Sequence, residues 1–309
     1  MQQLLQSTTA YKMFSHDAQS GRLSHAYMLC FSDSANLREA LKFFALALFG
    51  ARPGERTAEL IEDESFADVK VFPAKDKKPS VSDADEIIAD SALKPVEGDK
   101  KLYVFTSFES ASPVVQNKLL KVLEEPPAGV YFLLGATSLS PVLSTIASRV
   151  KLLTIEPFSE GEVFAALCRR GGDEKLNRLA ARSCAGCFGR AEAMVSGGWF
   201  KDIFAAANEI CSADTLAKAG AVSLKYGDVK EKAELLEQIQ LGYFAQLKKC
   251  ISPQDMAGAT FTRPALIYGI RAVNRAFADL NFNANFSSLL FDLAAGVITE
   301  NSKWKKLLV

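Results

Sequence analysis

The chain reads as an α/β domain with a mainly parallel sheet, then a small helical lid, then an all-helical C-terminal domain. Two observations predict this. Strand and helix signals alternate from Met1 to about Pro157, which demands crossover connections and parallel strands. Beyond Pro157 the strand signals fade, and from about Phe200 the pattern is helical throughout. The expected boundaries are 1–157, 158–199 and 200–309.

The elements follow in order. His25–Phe31 is an apolar strand candidate. Ala35–Phe49 has Leu37, Leu41, Phe44, Ala45 and Leu48 at helical spacing. Gly50–Asp63 is polar and charged and reads as a loop. Val69–Phe72 is the second strand; Ser82–Ser91 is a helix, with Ser82 and Asp85 at capping-box spacing. Leu102–Phe105 is the third strand. Ser112 offers an N-cap oxygen and Pro113 suits a first helical turn. Val115, Leu119, Val122 and Leu123 form the buried stripe of that helix, and Pro126-Pro127 stops it. Val130–Leu134 and Leu152–Ile155 are the fourth and fifth strands. Gly161–Arg170, Glu174–Arg182 and Ala191–Ser196 read as short helices, Glu231–Cys250 and Pro264–Leu280 as the longest ones.

Composition excludes several classes. The 309 residues carry 36 Lys plus Arg against 36 Asp plus Glu. Net zero charge argues against strong stand-alone affinity for DNA or an anionic membrane. The longest apolar runs, such as Phe43–Phe49, are too short to span a bilayer. MQQLLQSTTAYKMF lacks the pattern of a secretory leader, and the six cysteines fit reduced thiols in a cytoplasmic protein. Cys184-Ala-Gly-Cys187 has no second Cys/His pair to complete four ligands, so buried thiols in a helix connection are expected and no metal.

The turn after the first strand is where an α/β nucleotide-binding domain holds phosphate. Glycines there open the backbone N–H groups, a lysine neutralises charge and a Ser or Thr holds magnesium. Here Cys30-Phe-Ser-Asp-Ser-Ala-Asn-Leu-Arg38 has neither glycine nor lysine. Phe31, Asp33, Asn36, Leu37 and Arg38 replace that nest, and Asp33 puts a negative charge where polyphosphate would lie. The third strand ends Val104-Phe-Thr-Ser-Phe-Glu109, with Thr106 and Ser107 where acidic residues would organise magnesium. Glu109 reads as a solvated charge. Two independent parts of an ATPase site lack their key groups.

Five segments carry a resemblance. They are Gly21-Arg-Leu-Ser-His-Ala-Tyr27, Asn117-Lys-Leu-Leu-Lys-Val-Leu-Glu-Glu-Pro-Pro127, Phe132-Leu-Leu-Gly-Ala-Thr137, Leu143-Ser-Thr-Ile-Ala-Ser-Arg149 and Gly186-Cys-Phe-Gly-Arg-Ala191. Through them the chain resembles the delta-prime subunits of the bacterial DNA polymerase III clamp loader, within the AAA+ superfamily. The resemblance implies a RecA-like AAA+ α/β domain, a helical lid and an all-α collar domain. It makes Arg149 a trans arginine finger for a neighbour's γ-phosphate, with Ser148 orienting its loop. A planar, always-charged guanidinium suits that task. The plain alternative is a surface arginine at a helix end. Val150 stands where the family has Cys and is expected to pack. Thr137 and Arg190 match the two sensor positions; with no phosphate loop they are expected to cap a strand end and to pair at the lid. Gly50–Asp68 has no cysteine, so the zinc module of many relatives is absent.

The expected function is that of a non-hydrolysing subunit, with no ATPase activity, cofactor or metal of its own. The implied partners are the gamma/tau ATPase subunits and the delta subunit, with the sliding clamp and primed DNA met through the assembly, and no membrane. Two other readings remain open on sequence: an active ATPase with an atypical phosphate loop, and an AAA+-derived scaffold outside replication. Nucleotide binding separates the first, and co-purification with the clamp-loader ATPase the second.

Overall fold

An apolar strand, β1 (Ala26–Phe31), lies inside the sheet with neighbours on both sides, and the rest of the α/β unit is arranged around it. A computed structural model describes residues 1–75, 77–250, 260–280, 282 and 284–307. Two helices, α1 (Gln2–Ser7) and α2 (Thr9–Gln19), precede β1; Thr8 caps α2 through its side-chain oxygen. After β1 come α3 (Ser34–Phe49), α4 (Arg56–Glu62), β2 (Val69–Phe72), α5 (Val81–Ser91) and β3 (Lys101–Phe105). A 3-10 turn at Phe108–Ser110 leads to α6 (Pro113–Glu124), β4 (Val130–Ala136), α7 (Ser144–Ala147) and β5 (Lys151–Ile155). All four pairings are parallel, in the order β2-β3-β4-β1-β5. Parallel strands covered by helices are buried on both faces, and β3 is buried at every position. This is the parallel α/β domain that the alternating strand and helix signals imply.

Helix α6 forms as its sequence predicts. Ser112 Oγ accepts the N–H of Val115 at 3.4 Å, Pro113 occupies the first turn, and Val115, Leu119, Val122 and Leu123 are buried. The helix ends at Glu124, ahead of Pro126-Pro127. Two expectations are corrected. Gly50–Asp63 is not all loop: it contains α4, which buries Ala58 and Ile61, two apolar side chains enough to fix two turns in a polar stretch. The capping box of α5 is Ser80 with Asp83, not Ser82 with Asp85. Ser80 Oγ accepts the Asp83 N–H at 3.2 Å and Asp83 Oδ2 accepts the Ser80 N–H at 2.8 Å. The same Ser-x-x-Asp spacing occurs twice, and the Asp85 carboxylate instead pairs with Lys118.

Two compact units divide the chain, Met1–Ala193 and Met194–Val309. The first also holds α8 (Glu160–Arg170), α9 (Glu174–Ser183) and the start of α10 (Phe188–Ser196), which begins three residues ahead of its expected position. A turn with positive φ at Ala185 and Gly186 joins α9 to α10. A Cβ at Gly186 would lie 2.6 Å from Pro157 Cβ and 2.7 Å from the Phe158 carbonyl oxygen, so only glycine allows this turn to lie on Pro157–Phe158. The Cys184–Cys187 tract is thus a tight turn, with Cys184 buried.

The second unit contains α11 (Phe200–Cys211), α12 (Leu216–Tyr226), α13 (Lys232–Lys249), α14 (Arg263–Leu280) and α15 (Phe286–Leu307). At 22 residues α15 is the longest helix among the described residues, a place expected for α13 and α14. Its core gathers Ile210, Leu235, Ile239, Tyr243, Leu266, Val273, Leu290 and Val297. No helix among the described residues is long and apolar enough to cross a membrane.

Candidate functional site

Parallel sheets place ligands at the carboxyl ends of their strands. Three such ends converge here: residues 31–34 after β1, 106–109 after β3 and Thr137 after β4. The first is closed by its own side chains. Asp33 is only 2% exposed. Its Oδ2 accepts the backbone N–H of Gly189 at 2.7 Å and Nδ2 of Asn36 at 3.0 Å. Gly189 lies in the first turn of α10, where unpaired N–H groups and the helix dipole favour an anion. The anion in this place is the chain's own carboxylate. A Cβ at Gly189 would stand 2.5 Å from Asn36 Nδ2, 2.7 Å from Asp33 Oδ1 and 2.8 Å from Ala35 Cβ, so α10 lies directly on the loop.

The remaining loop residues are also engaged. Phe31 is buried and meets Phe158 edge-on, ring centroids 6.0 Å apart. Leu37, in the loop that lacks a lysine, is 2% exposed and fills the space beside Gly135 of β4: a Cβ there would lie 3.2 Å from its Cδ1. Arg38 donates from Nε to Glu64 Oε1 at 2.6 Å, pairs with Glu64 again through Nη2, and donates from Nη1 to the Pro73 carbonyl at 3.0 Å. The Arg38 guanidinium holds the Glu64 carboxyl below the usual range.

At the second strand end, Phe108 turns inward and is fully buried against Phe105. That turn brings Glu109 back towards the sheet. Thr137 Oγ1 donates to Glu109 Oε1 at 2.8 Å, and Glu109 Oε2 is buried with no hydrogen-bond partner among the described residues. Glu109 is therefore not the solvated charge expected from sequence. Its partner is the sensor-like threonine, which sequence reading assigned to strand capping alone. Burial, then the Glu109 charge, push the nearby Cys30 thiol up. Arg190 follows Gly189 on α10 and is half-buried. No group of three or more His, Cys, Asp or Glu able to hold a metal occurs among the described residues.

Arg149 lies away from this loop, just after α7. Its Nη1 donates to the Thr145 carbonyl at 2.7 Å and to Ser148 Oγ at 3.2 Å, and Nη2 pairs with Glu124. Val150 packs against the sheet core. Ile146, fully buried, anchors α7. Sequence reading missed the other anchor, Gln116, which is 1% exposed. Its Nε2 donates to the Ala111 carbonyl at 3.0 Å and the Pro141 carbonyl at 3.1 Å, and Oε1 accepts the Leu143 N–H at 2.9 Å. A glutamine adjoining the buried stripe of α6 was the available signal.

Residues 6–159 match the model of a family described as DNA polymerase III, delta subunit. Over 149 residues, 46% of this chain and 22% of the relative, the chain is 31% identical to the DNA polymerase III subunit tau/gamma of Haemophilus influenzae. Over 179 residues, 55% of this chain and 54% of the relative, it is 26% identical to the DNA polymerase III subunit delta' of Bacillus subtilis. The chain thus spans less than two thirds of either relative's length. Among solved structures it is similar to a DNA polymerase III gamma-subunit-related protein of Thermotoga maritima, at 14% identity and TM-score 0.49 over 94% of this chain and 99% of that one.

Proposed function

We propose, from the match of its α/β domain to the DNA polymerase III delta-subunit family, that the chain is a non-hydrolysing, delta-prime-like subunit of a clamp loader. It binds no ATP of its own. It lends Arg149 to the γ-phosphate held by a gamma/tau ATPase subunit beside it, and the assembly places a sliding clamp on primed DNA. The observation that supports this reading is the contact of Asp33 with Gly189: a buried carboxylate holds the turn in which a phosphate would have to lie. Like charges in one water-poor site exclude each other. Residues 158–199 act as the lid and 200–309 as the collar domain. Exposed Leu216 and Leu224 on α12 and part-exposed Phe291 on α15 offer apolar surface for collar packing. An end subunit unlike its neighbours also suits an open ring, because identical head-to-tail interfaces would repeat.

Calorimetry with ATP and magnesium tests the first half: a flat titration is expected, and micromolar-range binding would make the chain an atypical ATPase. Co-expression with the clamp-loader ATPase subunit and the delta subunit tests the second. A stable complex is expected; failure to form one would leave an AAA+-derived scaffold. Within the complex, Arg149→Ala should cut ATP turnover by about 10³-fold, the scale of arginine-finger losses.

A further inference from the structure

The guanidinium offered to a neighbour is already engaged within its own chain. Nη1 of Arg149 donates to the Thr145 carbonyl and to Ser148 Oγ, and Nη2 pairs with Glu124 Oε1. Glu124 is the last residue of α6, a place set by the Ser112 cap at one end and Pro126-Pro127 at the other. The unpaired carbonyls of a last helical turn carry partial negative charge. A carboxylate added there gains nothing from its own helix and attracts a cation. Thr145 belongs to α7, so the guanidinium rests against one α7 carbonyl, the Ser148 hydroxyl and the Glu124 carboxylate.

Glu124 and a γ-phosphate compete for the same forked donors. An Nη2 held by a carboxylate is not available to a phosphate oxygen. The pair is part-exposed, 34% for the Arg149 side chain and 44% for Glu124, and pairs of that kind are weak. A phosphate with more charge and more acceptor oxygens outcompetes it, at a cost in apparent affinity.

We infer that Glu124 is a positioning residue that parks Arg149 on its own subunit until the adjacent site presents a nucleotide phosphate. The inference rests on the proposed finger role of Arg149 and adds the residue that sets how readily the finger is released. Parking weakens ground-state and transition-state contacts alike, so it acts on KM and leaves kcat alone.

The test is ATP turnover by the reconstituted assembly carrying Glu124→Gln, Glu124→Asp, Arg149→Ala or Glu124→Gln with Arg149→Ala. Glu124→Gln should raise kcat/KM by about two- to fivefold through a lower KM, the range of a part-exposed ion pair. Glu124→Asp, which keeps the charge, should stay near the native value. In the Arg149→Ala background Glu124→Gln should change nothing, because it acts through Arg149. Glutamine at a helix C-terminus removes an unfavourable charge, so folding is preserved. An unchanged or lower kcat/KM for Glu124→Gln, with turnover still lost in Arg149→Ala, overturns the parking role and leaves the finger standing. A gain that persists without Arg149 also overturns it. Native turnover in Arg149→Ala overturns the finger itself and the parking role with it.

Discussion

The carboxylate of Asp33 accepts the backbone N–H of Gly189 at 2.7 Å, so a side chain from the turn after β1 holds the first turn of α10. A nucleotide-binding AAA+ site would use bound phosphate near this point. Here the contact is intramolecular.

Asp33→Ala removes a buried charged acceptor and leaves the Gly189 N–H without its partner. The expected loss is about 1.5–3 kcal/mol of folding stability, read from urea unfolding. Asp33→Asn keeps an amide oxygen and should lose less. An unchanged unfolding midpoint in Asp33→Ala would remove the latch from this account.

Leu37→Lys places an ammonium in the apolar space beside Gly135. It should lower stability by about 2 kcal/mol or more, from lost packing and a buried charge. It should bring no heat of ATP binding in calorimetry, because the glycines, the acidic pair after β3 and a vacant phosphate position are missing as well. ATP binding after this one change would contradict the reading of the loop.

Asp90 sets an acid limit on the α/β unit. Its Oδ2 accepts Tyr103 Oη at 2.6 Å and Lys101 Nζ at 3.0 Å, and Lys70 Nζ lies 3.2 Å from Oδ1. Burial pushes the Asp90 carboxyl up; hydrogen bonds from Tyr103, Lys101 and Lys70 outweigh burial and hold it below the usual range. A depressed folded pKa stabilises above the unfolded value of about 3.9, and that contribution disappears as pH falls through the folded value. Asp90→Ala should cost about 3–5 kcal/mol at pH 7, since the Lys101 side chain is 4% exposed and loses its counter-charge. The gap between native and variant urea midpoints should narrow below about pH 4. A gap independent of pH would assign the loss to packing.

Gln116→Ala should loosen the segment that carries Arg149. It leaves the Leu143 N–H and two carbonyls without their buried partner, for about 1–3 kcal/mol. In the assembly it should also lower ATP turnover, through the segment that carries Arg149. Hydrogen exchange at Leu143–Ser148 should speed up in the variant; native protection there would sink the anchoring role.

The legible parts were those in which local chemistry and burial agree. Ser112, Pro113, the Val115–Leu123 stripe and Pro126-Pro127 all specify one helix, and α6 formed within those bounds. The five strands appeared where apolar runs lie between turn signals. Legibility failed where a tertiary contact decided the outcome. Arg56–Glu62 is polar, and only the burial of Ala58 and Ile61 makes it a helix. Ser80 and Ser82 offer the same spacing to Asp83 and Asp85, and pairing of Asp85 with Lys118, 33 residues away, distinguishes them. The missing lysine and glycines of the loop were visible in sequence. The partner of Asp33 was not, because Gly189 lies 156 residues further on. Glu109 misled for a similar reason: its neighbour Phe108 is the core residue, and that turns the carboxylate towards Thr137.

The position of β1 between β4 and β5 bears on how this polypeptide is made. As the ribosome releases Ala26–Phe31, the strand has neither partner, since β4 starts only at Val130. At about 5–20 residues per second, translation leaves that apolar segment unpaired for about 5–20 s. The nascent chain therefore needs shielding by chaperones, or temporary cover from the neighbouring helices, before its sheet closes.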